Sequence, residues 1–165
     1  MLKPLAIVMT LSVSFVLLVE SSVSAQPSID KSARNALVWD TKNQRKADII
    51  STVLVAAALA LPCSVNGMRA DTRWTCLENE GIRVGLGIGG ALLVKRLVHR
   101  VRPDGSDDKS FFSGHTVLAC AATVRTKFWA LCPAVAYGRV AANKHWLTDV
   151  GTGAAVGGVL AYSWK

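Results

Sequence analysis

The chain has 165 residues, 51% of them hydrophobic, and a formal net charge of +8 at pH 7. That length allows one domain with one core. The charge comes without a dense basic run or a nucleic-acid-binding module, so it points to an anionic ligand or surface and away from nucleic acid; the four cysteines show no close Cys-x2-Cys or Cys/His spacing, which argues against a metal site.

At the N-terminus Lys3 precedes an apolar run over 5–19, then Glu20 and Val23-Ser24-Ala25. This order predicts a secretory signal peptide over 1–25, cleaved after Ala25. The rival reading is an uncleaved anchor, but the run falls short of the roughly 20 apolar residues a span needs. Cleavage would remove Lys3 and Glu20 together and leave the formal charge at +8. Residues 26–46 are polar and read as a leader or an amphipathic first helix carrying Leu37, Val38 and Trp39, with the main domain over 47–165.

Five apolar segments follow, over 48–61, 82–100, 116–125, 128–140 and 146–162, separated by Pro, Gly or charged breaks. No alternating pattern competes with them, so the expected fold class is all-α, a compact helical bundle. Gly85, Gly87, Gly89 and Gly90, and later Gly151, Gly153, Gly157 and Gly158, would weaken two of these helices. Close backbone approach between helices is the compensation expected of them. A nucleotide-binding loop is the functional rival, and neither run has the Gly-Lys-Ser/Thr end or the preceding strand it requires.

Cys63 and Cys76 flank a polar stretch with Pro62, Asn66 and Gly67, while Cys120 and Cys132 flank the charged turn at Arg125-Thr126-Lys127. In an oxidising compartment both pairs are candidate disulfides, although connectivity is left open by sequence. Counting the signal segment, six apolar segments fall where six membrane spans would lie. Those over 116–124 and 128–138 are far too short, however, and Arg125 and Lys127 interrupt them. The expectation is an exported domain, peripheral to the membrane or partly embedded in it.

Three blocks in the second half carry the chemistry: KRLVHRVRP over 95–103, Ser113-Gly114-His115, and RVAANKHWLTD over 139–149. Lys95 and Arg102 are seven positions apart, two helical turns, so on one helix they would grip the same anion. Pro103 disfavours helix at Arg102 and puts the grip at a helix end. His145 and Asp149 are four apart, which brings a carboxylate within reach of an imidazole on one face. Arg139 would lie roughly 120° from His145 on a continuous helix, so the chain must turn between them, with Asn143 the natural place. His99 lies between Lys95 and Arg102 on the same expected face, either as a packing or surface residue or as a further cation favouring a diphosphate. Taken singly, each of these residues is more often a solvated cation or a packed imidazole than a catalyst. The order of the three blocks is what raises them above that reading.

Lys-x6-Arg-Pro, Ser-Gly-His and Arg-x5-His-x3-Asp in this order resemble the signature motifs of the type 2 phosphatidic acid phosphatase superfamily, which includes bacterial acid phosphatases and vanadium haloperoxidases. The resemblance covers 95–149, with Phe112 where Pro usually stands and Gly138 where Ser usually stands. It implies a bundle of that family's type and a metal-independent, cofactor-free phosphatase working through a phosphohistidine. His145 would attack phosphorus, Asp149 would hold its ring, and His115 would protonate the leaving oxygen. Lys95, Arg102, Arg139, Ser113 and Gly114 would bind the phosphoryl oxygens, with Ser-Gly-His opening a helix whose amides favour an anion. The implied substrate is a phosphate monoester or diphosphate, in the first place of a lipid, met in the periplasm or at the outer face of the inner membrane. A soluble periplasmic acid phosphatase is the alternative. A haloperoxidase is disfavoured by the short chain, and a non-catalytic phosphate-binding protein by the complete set of ionisable motif residues.

Overall fold

The computed structural model describes residues 28–60, 63 and 70–163, so the expected signal peptide lies outside the described residues. Among the described residues there are six helices and no strand: α1 (Ser28–Leu37), α2 (Thr41–Ala60), α3 (Ala70–Val98), α4 (Gly114–Thr126), α5 (Leu131–Ala141) and α6 (Leu147–Ser163). The all-α class follows from the apolar segments, and each of the five expected segments overlaps one of α2 to α6.

The helix ends have local causes. Ser113 caps α4, its hydroxyl accepting from the Thr116 amide, and Lys127 ends the helix in the left-handed region. Asn143 turns the chain after α5 with φ 57°, a conformation Asn tolerates, as the spacing of Arg139 and His145 required. α3 starts well before the expected position, so Cys76 lies within it, and it stops at Val98 where His99 takes φ 44°. Arg102 is therefore not on the helix of Lys95. The two cations meet because the chain leaves α3 and folds back, not because they share a face.

α4 is the central element and packs against α2, α3, α5 and α6, while α1 lies across α5 and α6. Val55, Ala58, Leu118, Ala119, Leu131 and Val135 form one core cluster, and Val94, Phe111, Phe112, Val117 and Leu160 belong to another on the opposite side of α4. Two of the four glycines of α6 explain the tight α4–α6 contact: a Cβ on Gly153 would stand 2.7 Å from the Ser113 carbonyl, and one on Gly157 would collide with the Val117 carbonyl, while Gly151 and Gly158 face open space. Those of α3 do so only at Gly87, which fits against Leu118 and Val117, whereas Gly85, Gly89 and Gly90 face open space. Both candidate disulfides are formed, Cys63–Cys76 and Cys120–Cys132, the second tying α4 to α5. The outward face of α3 is apolar, with Trp74, Ile82, Leu86, Leu92, Leu93 and Leu97 all exposed. No helix among the described residues is long and apolar enough to cross a membrane.

Candidate active site

The start of α6 sets the site. Trp146 is the residue before the helix, and its backbone N–H donates to Asp149 Oδ2 at 2.9 Å, the reciprocal half of a capping box. Asp149 is fully buried. Its other acceptor positions take Arg100 Nη1 at 2.6 Å and the Ser110 hydroxyl, and its backbone carbonyl takes the Ser113 amide at 3.2 Å. Asp149 thus joins α6 to the loop after α3 through its carboxylate and to the start of α4 through its backbone carbonyl. Burial pushes the Asp149 carboxyl up, but His145, Arg100 and Ser110 together outweigh it and hold the group below the ordinary range.

His145 is buried beside it, and its Nδ1 lies 2.8 Å from the Ser110 carbonyl. A carbonyl only accepts, so Nδ1 carries the proton and Nε2 keeps its lone pair. The expected partner was Asp149. Its Oδ2 is 3.7 Å from Nδ1, an electrostatic contact and too long for a hydrogen bond. The backbone of Ser110, and not Asp149, fixes the tautomer. Burial brings His145 down to about 4, with Asp149 opposing and Lys95 and Arg139 assisting, so the ring is neutral at physiological pH.

Lys95 and Arg139 act on this ring, and Arg102 joins them in acting on His115. Lys95 donates from α3 to the Lys109 carbonyl at 2.5 Å and reaches the Ser110 carbonyl at 3.4 Å. Its ammonium is brought down to about 8 by burial and then by Arg102. Arg102 pairs through Nε with Asp107 at 2.6 Å. Arg139, buried on α5, pairs with Asp48 of α2 and lies 3.4 Å from the Ser51 hydroxyl. Its Nε is buried without a hydrogen-bond partner, a donor that an anion in the cradle would satisfy. His115, half-buried on α4, has Nε2 3.2 Å from the Thr52 hydroxyl. Burial, then Arg139, Lys95 and Arg102, bring it down to about 4 against the opposing Asp48. That all three cations act on His115, and two of them on His145, shows the three sequence blocks converging on one place.

The Ser113 hydroxyl caps α4, accepting from the Thr116 amide and from the Thr116 hydroxyl at 3.0 Å, which leaves its own O–H as a donor. The first amides of α4, at Gly114 and His115, are further donors for an anion there. A Cβ on Gly114 would make only an ordinary contact, 3.6 Å from Ala91, so packing does not require glycine at that position. His99, away from the helix face assigned to it, pairs with Asp108 at 2.8 Å with 67% of its side chain exposed. It does not join the cradle. Sequence reasoning missed Asp30, Asp48, Arg100 and Ser110 altogether. Nothing distinguishes Arg100 from its neighbour Arg96 in a linear reading, and Asp30 lies 119 residues from the carboxylate it serves in the polar segment assigned to a leader.

No family model, curated protein or solved structure matches the chain. Among the described residues no group of three His, Cys, Asp or Glu side chains stands close enough to hold a metal ion.

Proposed function

We propose that the chain is an exported phosphatase of the type 2 phosphatidic acid phosphatase kind, hydrolysing a phosphate monoester or diphosphate through a phosphohistidine. The observation that carries this reading is His145: buried, neutral, with its Nδ1 proton committed to the Ser110 carbonyl, leaving Nε2 its lone pair, and with Lys95 and Arg139 from two separate sequence blocks acting on the ring. A neutral imidazole with a fixed tautomer is a competent nucleophile. Lys95, Arg102 and Arg139 hold the phosphoryl oxygens, where charge is carried through the transition state. His145 Nε2 forms the bond to phosphorus as the bond to the leaving oxygen breaks, and His115 gives that oxygen a proton. His115 then takes a proton from water as the water attacks the phosphohistidine, which returns His145 and releases phosphate. His115 is neutral in the free protein, and the negative charge of a bound substrate raises its proton affinity toward that of an acid.

Gly138, which replaces a Ser of the motif, has a counterpart in Ser51: a Cβ on Gly138 would stand 3.0 Å from that of Ser51, whose hydroxyl accepts from Arg139. The two disulfides support work in an oxidising compartment such as the periplasm. The exposed apolar outward face of α3, with Leu92, Leu93 and Leu97, suits work beside a lipid surface and favours a lipid ester over a small polar one.

Purified protein assayed for phosphate release from phosphatidate, an isoprenyl diphosphate, lipid A and p-nitrophenyl phosphate tests this. Turnover is expected with EDTA present and is expected to be blocked by orthovanadate, which adopts five-coordinate geometry against the histidine. Release from none of the four, or activity lost in EDTA and restored only by added metal, would refute it. Equal preference for p-nitrophenyl phosphate and the lipids would favour the non-specific acid phosphatase.

A further inference from the structure

Arg100 is buried and belongs to no part of the anion cradle, yet both of its terminal nitrogens are engaged. Nη1 donates to Asp149 Oδ1 at 2.6 Å and to the Thr148 hydroxyl at 2.7 Å, and Nη2 donates to Asp30 Oδ2 at 2.5 Å. The guanidinium carbon stands 5.9 Å from the centre of the Trp146 ring. Asp30, on α1, has no exposed surface. It also accepts the Thr148 amide at 2.9 Å and the Thr148 hydroxyl at 2.8 Å. That amide belongs to the first turn of α6 and has no acceptor within its own helix, so α1 supplies one.

Two carboxylates buried this close repel each other, and Arg100 is the cation bridging them. It also occupies the Asp149 oxygen that would otherwise be free to turn toward His145. We propose that Asp30 and Arg100 are positioning residues: an Asp30–Arg100–Asp149 chain lets the first helix fix the Asp149 carboxylate at the start of α6, just out of hydrogen-bonding contact with His145. This rests on the reading of His145 as the nucleophile. The ring then remains weakly basic and keeps its Nδ1 proton on the Ser110 carbonyl. The charges acting on it are Asp149 from α6, Lys95 from α3 and Arg139 from α5, with Arg100 and Asp30 acting through Asp149. Removing Arg100 leaves Asp149 uncompensated and free to move, and both effects make His145 more basic.

NMR titration of the His145 imidazole in the full chain reads this without turnover. In Arg100→Gln its proton affinity is expected to rise about tenfold or more, with the acid limb of kcat/KM for p-nitrophenyl phosphate moving to higher pH alongside it. Arg100→Lys is expected to recover part of both. Asp30→Asn keeps an acceptor for Thr148 and is expected to lower kcat about tenfold with KM within about twofold, since the contact acts on orientation of the reacting group. If Arg100→Gln fails to fold, Arg100→Lys and Asp30→Asn supply the same two readings. Wild-type kcat in Asp30→Asn together with an unmoved His145 titration in the Arg100 variants would overturn the proposal and leave Arg100 as a packing cation. An inactive wild type whose titration still moves would refute the phosphatase reading alone.

Discussion

At His145 and His115 the same imidazole chemistry is divided by what each ring touches. His145 is buried with its Nδ1 proton on a carbonyl, whereas His115 is half-buried with its Nε2 against the Thr52 hydroxyl. His145→Ala is expected to abolish turnover of every phosphate ester. His115→Ala is expected to retain phosphohistidine formation from p-nitrophenyl phosphate while losing about 100-fold or more on alkyl phosphates, whose leaving oxygen needs a proton. Rapid-quench detection of the phosphoenzyme separates the two, and equal losses on good and poor leaving groups in the His115 variant would refute the division of roles. The paired carboxylates Asp48 and Asp107 add a further consequence. Arg102 and Arg139 already carry carboxylate partners, so an anion bound beside them would meet a partly neutralised field and not a bare positive one.

Among the elements, α4 and α6 set the site, because Ser113, the start of α4, hangs from the Asp149 carbonyl at the start of α6. Their close approach depends on glycine at 153 and 157. Gly157→Ala would press a methyl group into the Val117 carbonyl and within 2.9 Å of the Cys120 Cβ. It is expected to lower stability by about 1–3 kcal/mol, the usual cost of overpacking. Thermal unfolding of this variant beside Gly158→Ala, whose added methyl meets nothing within 4 Å, checks it. Similar melting temperatures for the two would mean that the helices part without penalty. Helix existence was legible from the apolar segments, the opening of α4 at Ser-Gly-His from the apolar run that follows it, and the Asn143 turn from residue type and spacing. The end of α3 was not, because KRLVHRVRP continues a helical pattern through His99 and the backbone there turns left-handed instead.

Over the whole molecule, burying two neutral histidines links stability to pH. His145 binds its proton at about 4 in the folded chain against an unfolded value near 6.5, so between those limits the unfolded chain holds more protons. The contribution is complete above pH 6.5 and is lost progressively as pH falls to about 4. For His145 the loss amounts to ~3 kcal/mol. Melting temperatures between pH 7 and pH 4 are expected to fall accordingly, and inorganic phosphate is expected to restore part of the loss by favouring the charged imidazoles. A flat profile in phosphate-free buffer would contradict the burial of His145. The apolar outward face of α3 and the +8 formal charge describe the exterior of the same molecule, suited to an anionic and partly apolar environment.

The sequence by itself determined the helical class and singled out the charged residues and imidazoles that the fold brings together. Residue type and order are local properties, and Lys95, Arg102, His115, Arg139, His145 and Asp149 stand in three short blocks. What only the tertiary structure decided is which atoms those residues meet. Asp149 is held by Arg100 and Ser110 more closely than it meets His145, and Arg100 is held in turn by Asp30 from the far end of the described chain. The reason is physical. A buried carboxylate must find donors for each of its oxygens, and chain folding supplies them from whichever segment lies nearest in space, with no mark at those positions in the linear order.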